Sequence, residues 1–241
     1  MSKLEVKNVS VVFKSKKREV VALDEFSATF EDGMNVIVGF SGCGKTTLLR
    51  SILGLIDYDG EIYFDDTDLD DIQIKDRNFS FVSQDYALYP RLTVFENIAF
   101  PLKILRADRK EIVERVSEVS ELLDLTACWN RKPKHISGGQ QQRVAIARAL
   151  IKRPSVCLMD EPFSNSDEVM RSQTVRWLKE ALEKTGCMCI YVTHDIKEAL
   201  LLADKLYVMN EGKLELCGTA DEIYQADNEI TNALKEGSSL L

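Results

Sequence analysis

Gly39-Phe40-Ser41-Gly42-Cys43-Gly44-Lys45-Thr46-Thr47 follows the apolar run Val36-Ile37-Val38 and precedes the helix-like stretch Leu48-Leu49-Arg50-Ser51-Ile52-Leu53. An apolar strand, a glycine-rich loop and a helix, in that order, make the context that a phosphate-cradling loop needs. Gly39, Gly42 and Gly44 let the backbone bend so that successive N–H groups face one anion. A helix beginning near Lys45 adds its positive dipole end and its unpaired N–H groups. Lys45 is placed to reach terminal phosphates, and the Thr46 hydroxyl to ligate Mg²⁺. Ser41, Cys43 and Thr47 complete the predicted nucleotide-contacting loop. Without the strand before it, the same segment would be a glycine turn capping an ordinary helix.

Composition narrows the field. The chain has 241 residues, 45% of them hydrophobic, enough to bury a sizeable core in one large domain or a domain with a subdomain. A formal net charge of −8 argues against a general nucleic-acid binder. No apolar run approaches the roughly 18–20 residues that span a bilayer. The start, Met1 to Lys7, lacks the apolar segment of a signal peptide. These features predict a cytosolic protein that can dock on a membrane protein. The six cysteines form no Cys-x-x-Cys pair and only two histidines are present, which argues against zinc and for reduced thiols.

Strand-like segments are expected at 4–9, 20–30, 34–38, 60–64 and 79–82, with 14–19 as a solvated turn. From about Val94 to Leu125 the pattern becomes helical, with Ile112, Val113, Val116, Val119, Leu122 and Leu123 at three- and four-residue spacing. A further helix is expected over 138–151. Strands at 155–159, 187–192 and 205–209 then alternate with helices at 168–184 and 196–203. This order predicts an α/β fold with a helical insertion in a parallel-sheet core.

Val156-Cys157-Leu158-Met159-Asp160-Glu161 is an apolar strand ending in two carboxylates. Such a strand delivers its acids to the carboxyl edge of a sheet, where ligands of α/β proteins bind. Asp160 is positioned to hold Mg²⁺ and Glu161 to polarise the water that attacks a γ-phosphate. With the loop at Gly39, the pair points to nucleoside triphosphate hydrolysis.

Ile136-Ser137-Gly138-Gly139-Gln140-Gln141-Gln142-Arg143 resembles the signature of the ATP-binding-cassette (ABC) ATPases, with Ile where Leu is more usual. Ser137 can cap the helix that follows. The other motifs of that family stand in order. Gln84 occupies the Q-loop position, Ser164-Asn165-Ser166-Asp167 the D-loop, and His194 the H-loop. Phe13 stands where the family places an aromatic that stacks on adenine, commonly Tyr. The resemblance spans about residues 1–225. Asn165-Ser166 departs from the usual small-then-Leu pair, and the expectation is a cassette without the β-rich regulatory domain of many relatives.

The resemblance implies a P-loop NTPase (RecA-like) core with an N-terminal antiparallel β subdomain and an inserted α-helical subdomain. The expected division is 1–84 and 151–218 for the core, 85–150 for the helical part with the signature, and 219–241 for a helical tail. ATP and Mg²⁺ are the implied ligands. Glu161, His194, Lys45 and Gln84 are the implied catalytic residues, and Thr46, Gln84 and Asp160 the implied metal-site residues. Phe13 and the loop at Gly39 would hold ATP, while Ser137, Gly138, Gly139 and Gln140 would complete the site of a second cassette, identical or related. The stretch 84–100 resembles carbohydrate and polyamine importers, and Asn130 to His135 lacks the Thr-Glu-Val-Gly-Glu-like segment of exporters. Expected partners are therefore membrane permease subunits and, indirectly, a solute-binding protein, with the chain peripheral on the cytoplasmic face and a sugar as cargo. A polyamine or other small solute is the alternative, as is a soluble ABC ATPase such as a cluster-assembly protein.

Overall fold

The structure, a computed structural model, describes residues 2–15, 18–163, 168–226 and 228–236. The chain forms two compact units, Met1–Asn78 with Met188–Leu241 and Phe79–Cys187. Among the described residues no helix is long and apolar enough to cross a membrane.

The first unit opens with β1 (Lys3–Ser15), β2 (Arg18–Glu31) and β3 (Met34–Val38), followed by α1 (Lys45–Leu53), β4 (Asp59–Phe64) and the short β5 (Thr67–Asp68). The second unit carries β6 (Phe79–Val82), α2 (Val94–Ile104), α3 (Arg109–Leu122), α4 (Gly138–Leu150), β7 (Val156–Asp160) and α5 (Glu168–Thr185). The first unit resumes with β8 (Met188–Thr193), α6 (Ile196–Leu202), β9 (Lys205–Asn210), β10 (Lys213–Gly218), α7 (Ala220–Gln225) and α8 (Glu229–Glu236).

In the first unit, β2-β1-β4-β5 form an antiparallel sheet, and β10-β9-β3-β8 run as neighbours around β3. β3 pairs in parallel with β8 and with β9. Every residue of β3 and β8 is buried, as parallel strands covered on both faces require. The register aligns Val38 with both Thr193 and Val208, so the chain leaves β3 and β8 at one edge. In the second unit β6 and β7 are also parallel, with Val82 opposite Met159. Gln84 and the acids at 160–161 therefore leave that pair at one edge.

Two expectations change. The helical pattern over 94–125 is two helices, because Arg106 takes a positive φ of 57° and the Asp108 side chain accepts from Lys110 N–H at 2.9 Å to start α3. The turn expected at 14–19 is shorter, since β1 runs to Ser15 and β2 starts at Arg18, with Lys14 paired to Glu19 in register and by an ion pair of 3.4 Å. Lys16 and Lys17 lie outside the described residues.

Buried polar side chains fix loops that the strands leave open. The Asn97 side chain, fully buried in α2, accepts from Tyr89 N–H at 2.8 Å and donates to Tyr89 and Thr93 carbonyls at 3.1 and 2.9 Å. In the first unit, Arg77 donates to the carbonyls of Leu69, Ile52 and Ile72 at 2.6, 3.1 and 3.1 Å. It also packs against Gly54, the left-handed residue that ends α1. Replacing Arg77 by Met keeps its length and removes all three bonds, leaving the Leu69 carbonyl only the backbone N–H of Ile72. The expected loss is about 3 kcal/mol of unfolding free energy in urea titrations. A loss below about 0.5 kcal/mol would show that these bonds do not hold the segment.

Candidate functional site

The loop after β3 is built by backbone constraint. Cys43 N–H donates to Phe40 carbonyl at 3.2 Å, and Gly212 N–H, from the turn between β9 and β10, donates to Cys43 carbonyl at 2.9 Å. Gly44, at φ +108°, precedes α1 without any side-chain cap. A Cβ there would stand 2.3 Å from Ala22 carbonyl oxygen, so both torsion and packing demand glycine. Gly42, at φ +85°, faces open space. The Lys45 ammonium is buried and donates to Gly39 and Phe40 carbonyls at 2.7 and 2.9 Å, with Cys43 Sγ at 3.8 Å. Burial pushes the Cys43 thiol above its ordinary pKa, against the pull of Lys45. A helix start with no side-chain cap, a cation at its first residue and an uncovered Gly42 fit a phosphate chain.

Two other predicted residues stand in the same unit. Phe13 is 49% exposed on β1, with Val20 opposite it on β2 and also exposed. Its ring face is therefore available for stacking. His194 follows β8 and is exposed. The residues around it are tied down. Thr193 hydroxyl accepts from Asp195 N–H at 3.0 Å and donates to Glu198 at 3.1 Å, while Tyr191 hydroxyl donates to the other Glu198 oxygen. Asp195 caps α6 through the N–H groups of Lys197 and Glu198.

In the second unit, Asp160 ends β7 and is 7% exposed, and half-buried Glu161 follows at φ +44°. A left-handed carboxylate residue stores strain of roughly 1–3 kcal/mol and clusters at functional sites. Gln84 is exposed. The loop behind it reverses through Tyr86 and Ala87, at φ 61° and 42°. Arg148 of α4 donates to both of their carbonyls at 2.7 Å. Tyr86 is buried, whereas Tyr89 is 40% exposed and its ring lies 4.4 Å from that of Phe100. Hard oxygen donors such as the Thr46 hydroxyl and the Asp160 carboxylate are the ligand types Mg²⁺ takes.

Ser137 heads α4 with a reciprocal cap: its hydroxyl accepts from Gln140 N–H at 3.2 Å, and the Gln140 side chain accepts from Ser137 N–H at 3.0 Å. Ser137 and Gly138 are exposed, and a Cβ on Gly138 would meet nothing within 4 Å. The helix start thus presents open backbone. The predicted D-loop, 164–167, lies outside the described residues.

Each unit gathers its own motifs at one strand edge: the Gly39 loop with His194, and Gln84 with Asp160 and Glu161. Sequence reasoning missed Asn97, Gln142, Arg148 and Glu198, all held by backbone or buried polar partners. Their one sequence signal is a polar residue on the buried stripe of a helix.

The two loop glycines separate packing from torsion. Gly44→Ala is expected to cost about 3 kcal/mol, from strain plus the clash with Ala22, and Gly42→Ala about 1 kcal/mol, from strain alone. Urea midpoints of both variants measure this; equal costs would remove the packing part of the account.

Residues 23–164 match the ABC transporter family. The chain is 48% identical over 214 residues to the trehalose/maltose import ATP-binding protein MalK of Thermococcus litoralis, covering 86% of this chain and 58% of that one. It is 44% identical to the sulfate/thiosulfate import ATP-binding protein CysA 1 of Agrobacterium fabrum, covering 91% of this chain and 66% of that one. The chain thus spans about three-fifths of the length of the curated relatives it matches. Among solved structures it is similar to the ATP-binding cassette MJ0796, a dimer in a post-hydrolysis state bound to ADP and Pi. There the TM-score is 0.80 and the identity 32%, over 90% of this chain and 98% of that one. The glycine loop after β3, the capped helix at Ser137 and these likenesses agree, and the chain belongs to the ABC transporter family.

Proposed function

We propose that this chain is the ATP-hydrolysing subunit of an importer, working as one of two cassettes that close around two nucleotides. The observation that carries the reading is the loop Gly39–Thr47, with Lys45 seated at the start of a helix that has no side-chain cap. Lys45 holds the terminal phosphates, Phe13 stacks on adenine, and His194 contacts the γ-phosphate. Glu161 orients the attacking water and accepts its proton. Mg²⁺, held by Thr46 and Asp160 with Gln84 alongside, would neutralise charge on the β- and γ-phosphates.

The second copy is supported by the exposed start of α4. Ser137, Gly138, Gly139 and Gln140 offer backbone N–H groups and a helix N-terminus to an anion. In this reading they receive the nucleotide held by the partner's loop, so ATP stabilises the closed pair by mass action and hydrolysis releases it. The MJ0796 relative, solved as a dimer with ADP and Pi, supports this arrangement.

Import through permease subunits on the cytoplasmic face of the membrane is supported by the names of the relatives. The helical part at 85–150, with exposed Tyr89 beyond Gln84, is the segment proposed to meet the permease. The MalK relative favours a sugar as cargo, and the sulfate/thiosulfate relative favours a second reading, another small solute.

Glu161→Gln keeps the shape of the side chain and removes its basicity. Hydrolysis is expected to fall at least about a hundredfold, while Mg-ATP drives the variant into a stable dimer. Steady-state turnover and size-exclusion chromatography measure the two effects. A variant that turns over at the parental rate would refute the role of Glu161.

A further inference from the structure

The carbonyl that follows Glu161 is held by two side chains from elsewhere in the second unit. Tyr86 hydroxyl donates to Pro162 oxygen at 3.1 Å, and the Gln142 amide donates to the same oxygen at 2.6 Å. Both donors are buried, Gln142 completely. A carbonyl oxygen has two lone pairs, so one oxygen serves both donors at once. Glu161 lies between this oxygen and the buried strand β7, and its own backbone is in the left-handed region at φ +44°. Left-handed non-glycine backbone persists only where its surroundings over-determine it.

The two donors come from the two segments that sense nucleotide in the proposed mechanism. Tyr86 stands just after Gln84, in a reversal whose carbonyls are gripped by Arg148. Gln142 stands in α4, the helix headed by Ser137. We propose that Tyr86 and Gln142 are positioning residues that set the orientation of Glu161 through the Pro162 carbonyl. Through them the water-orienting carboxylate is poised only while the loop bearing Gln84 and the signature helix are both in place. A shift of either segment withdraws a donor and frees the backbone on one side of Glu161. Misplacement of a reacting group by about 1 Å costs ~100-fold in rate, so a modest relaxation is enough to switch turnover off. This inference rests on the proposed role of Glu161.

The test uses the purified full chain and four variants: Tyr86→Phe, Gln142→Met, the double variant, and Glu161→Gln. Each is measured for kcat, KM for Mg-ATP and thermal midpoint. Tyr86→Phe and Gln142→Met are expected to lower kcat about five- to tenfold, the rate equivalent of one net hydrogen bond. KM should stay within about twofold, since nucleotide binding is not touched. The double variant should lose less than the product of the single losses, because both donors act on one oxygen. Purely structural bonds would instead lower the thermal midpoint and leave kcat per folded molecule unchanged, and that result overturns the proposal. Tyr86→Phe removes a single hydroxyl, so it keeps the question answerable if Gln142→Met fails to fold. Should Glu161→Gln retain the parental rate, the reading of Glu161 falls and the clamp falls with it. Should Glu161→Gln be inactive while the clamp variants, double included, keep the parental kcat, the clamp alone is wrong.

Discussion

A loop proposed to turn several N–H groups toward one anion, as Gly39–Thr47 is, has to place backbone where side chains cannot go, and that constraint shapes the first unit around it. Gly44 meets it twice, by a φ of +108° and by the Ala22 carbonyl that occupies the space of a Cβ. The loop is thereby pressed against β2 and against the turn between β9 and β10, which donates Gly212 N–H to Cys43 carbonyl. Lys45 is held at the start of α1 by the Gly39 and Phe40 carbonyls that face its ammonium. A buried cation is costly unless it is hydrogen-bonded and paired with an opposite charge, and the two carbonyls meet the first of those needs. The sheet, the turn and the helix therefore all contribute to the shape of the loop that is proposed to bind phosphate.

Parallel pairing explains how motifs far apart in sequence become neighbours. Val38 aligned with Thr193 brings the Gly39 loop and His194 to one edge, although more than 140 positions separate them. Val82 aligned with Met159 does the same for Gln84 and the acids in the second unit. Apart from half-buried Phe81 the strands of both pairs are buried, so a register slip would disrupt their close packing and misplace the polar residues at the strand ends. Stability and site geometry are served by the same apolar runs.

Those runs are why so much was legible. Val36-Ile37-Val38 and Val156 to Met159 read as strands because strands covered on both faces are apolar throughout. Ser137 read as a cap because the Ser-Gly-Gly-Gln spacing allows a reciprocal one. Other features were hidden for physical reasons. The break between α2 and α3 rests on left-handed Arg106 and the Asp108 cap, neither of which periodicity registers. The short β5 pairs only two residues and has no pattern to read. Gln142, Arg148 and Asn97 act on backbone carbonyls, and a carbonyl has no identity in a sequence. The reversal at Tyr86 and Ala87 is likewise invisible, since neither residue favours positive φ.

The exposed start of α4 is the feature that carries the account beyond a single chain. Its backbone donors are uncovered at Ser137 and Gly138, and the proposed reading gives them the nucleotide of a second cassette. The most direct test separates nucleotide binding from pairing. In a Glu161→Gln background, a further Ser137→Arg change fills the helix start without touching the Gly39 loop. Light scattering at saturating Mg-ATP should then report the mass of one chain where the parent reports two, with Mg-ATP affinity of the monomer unchanged. A full dimer from the Ser137→Arg chain would contradict the claim that this helix start completes the site of another copy.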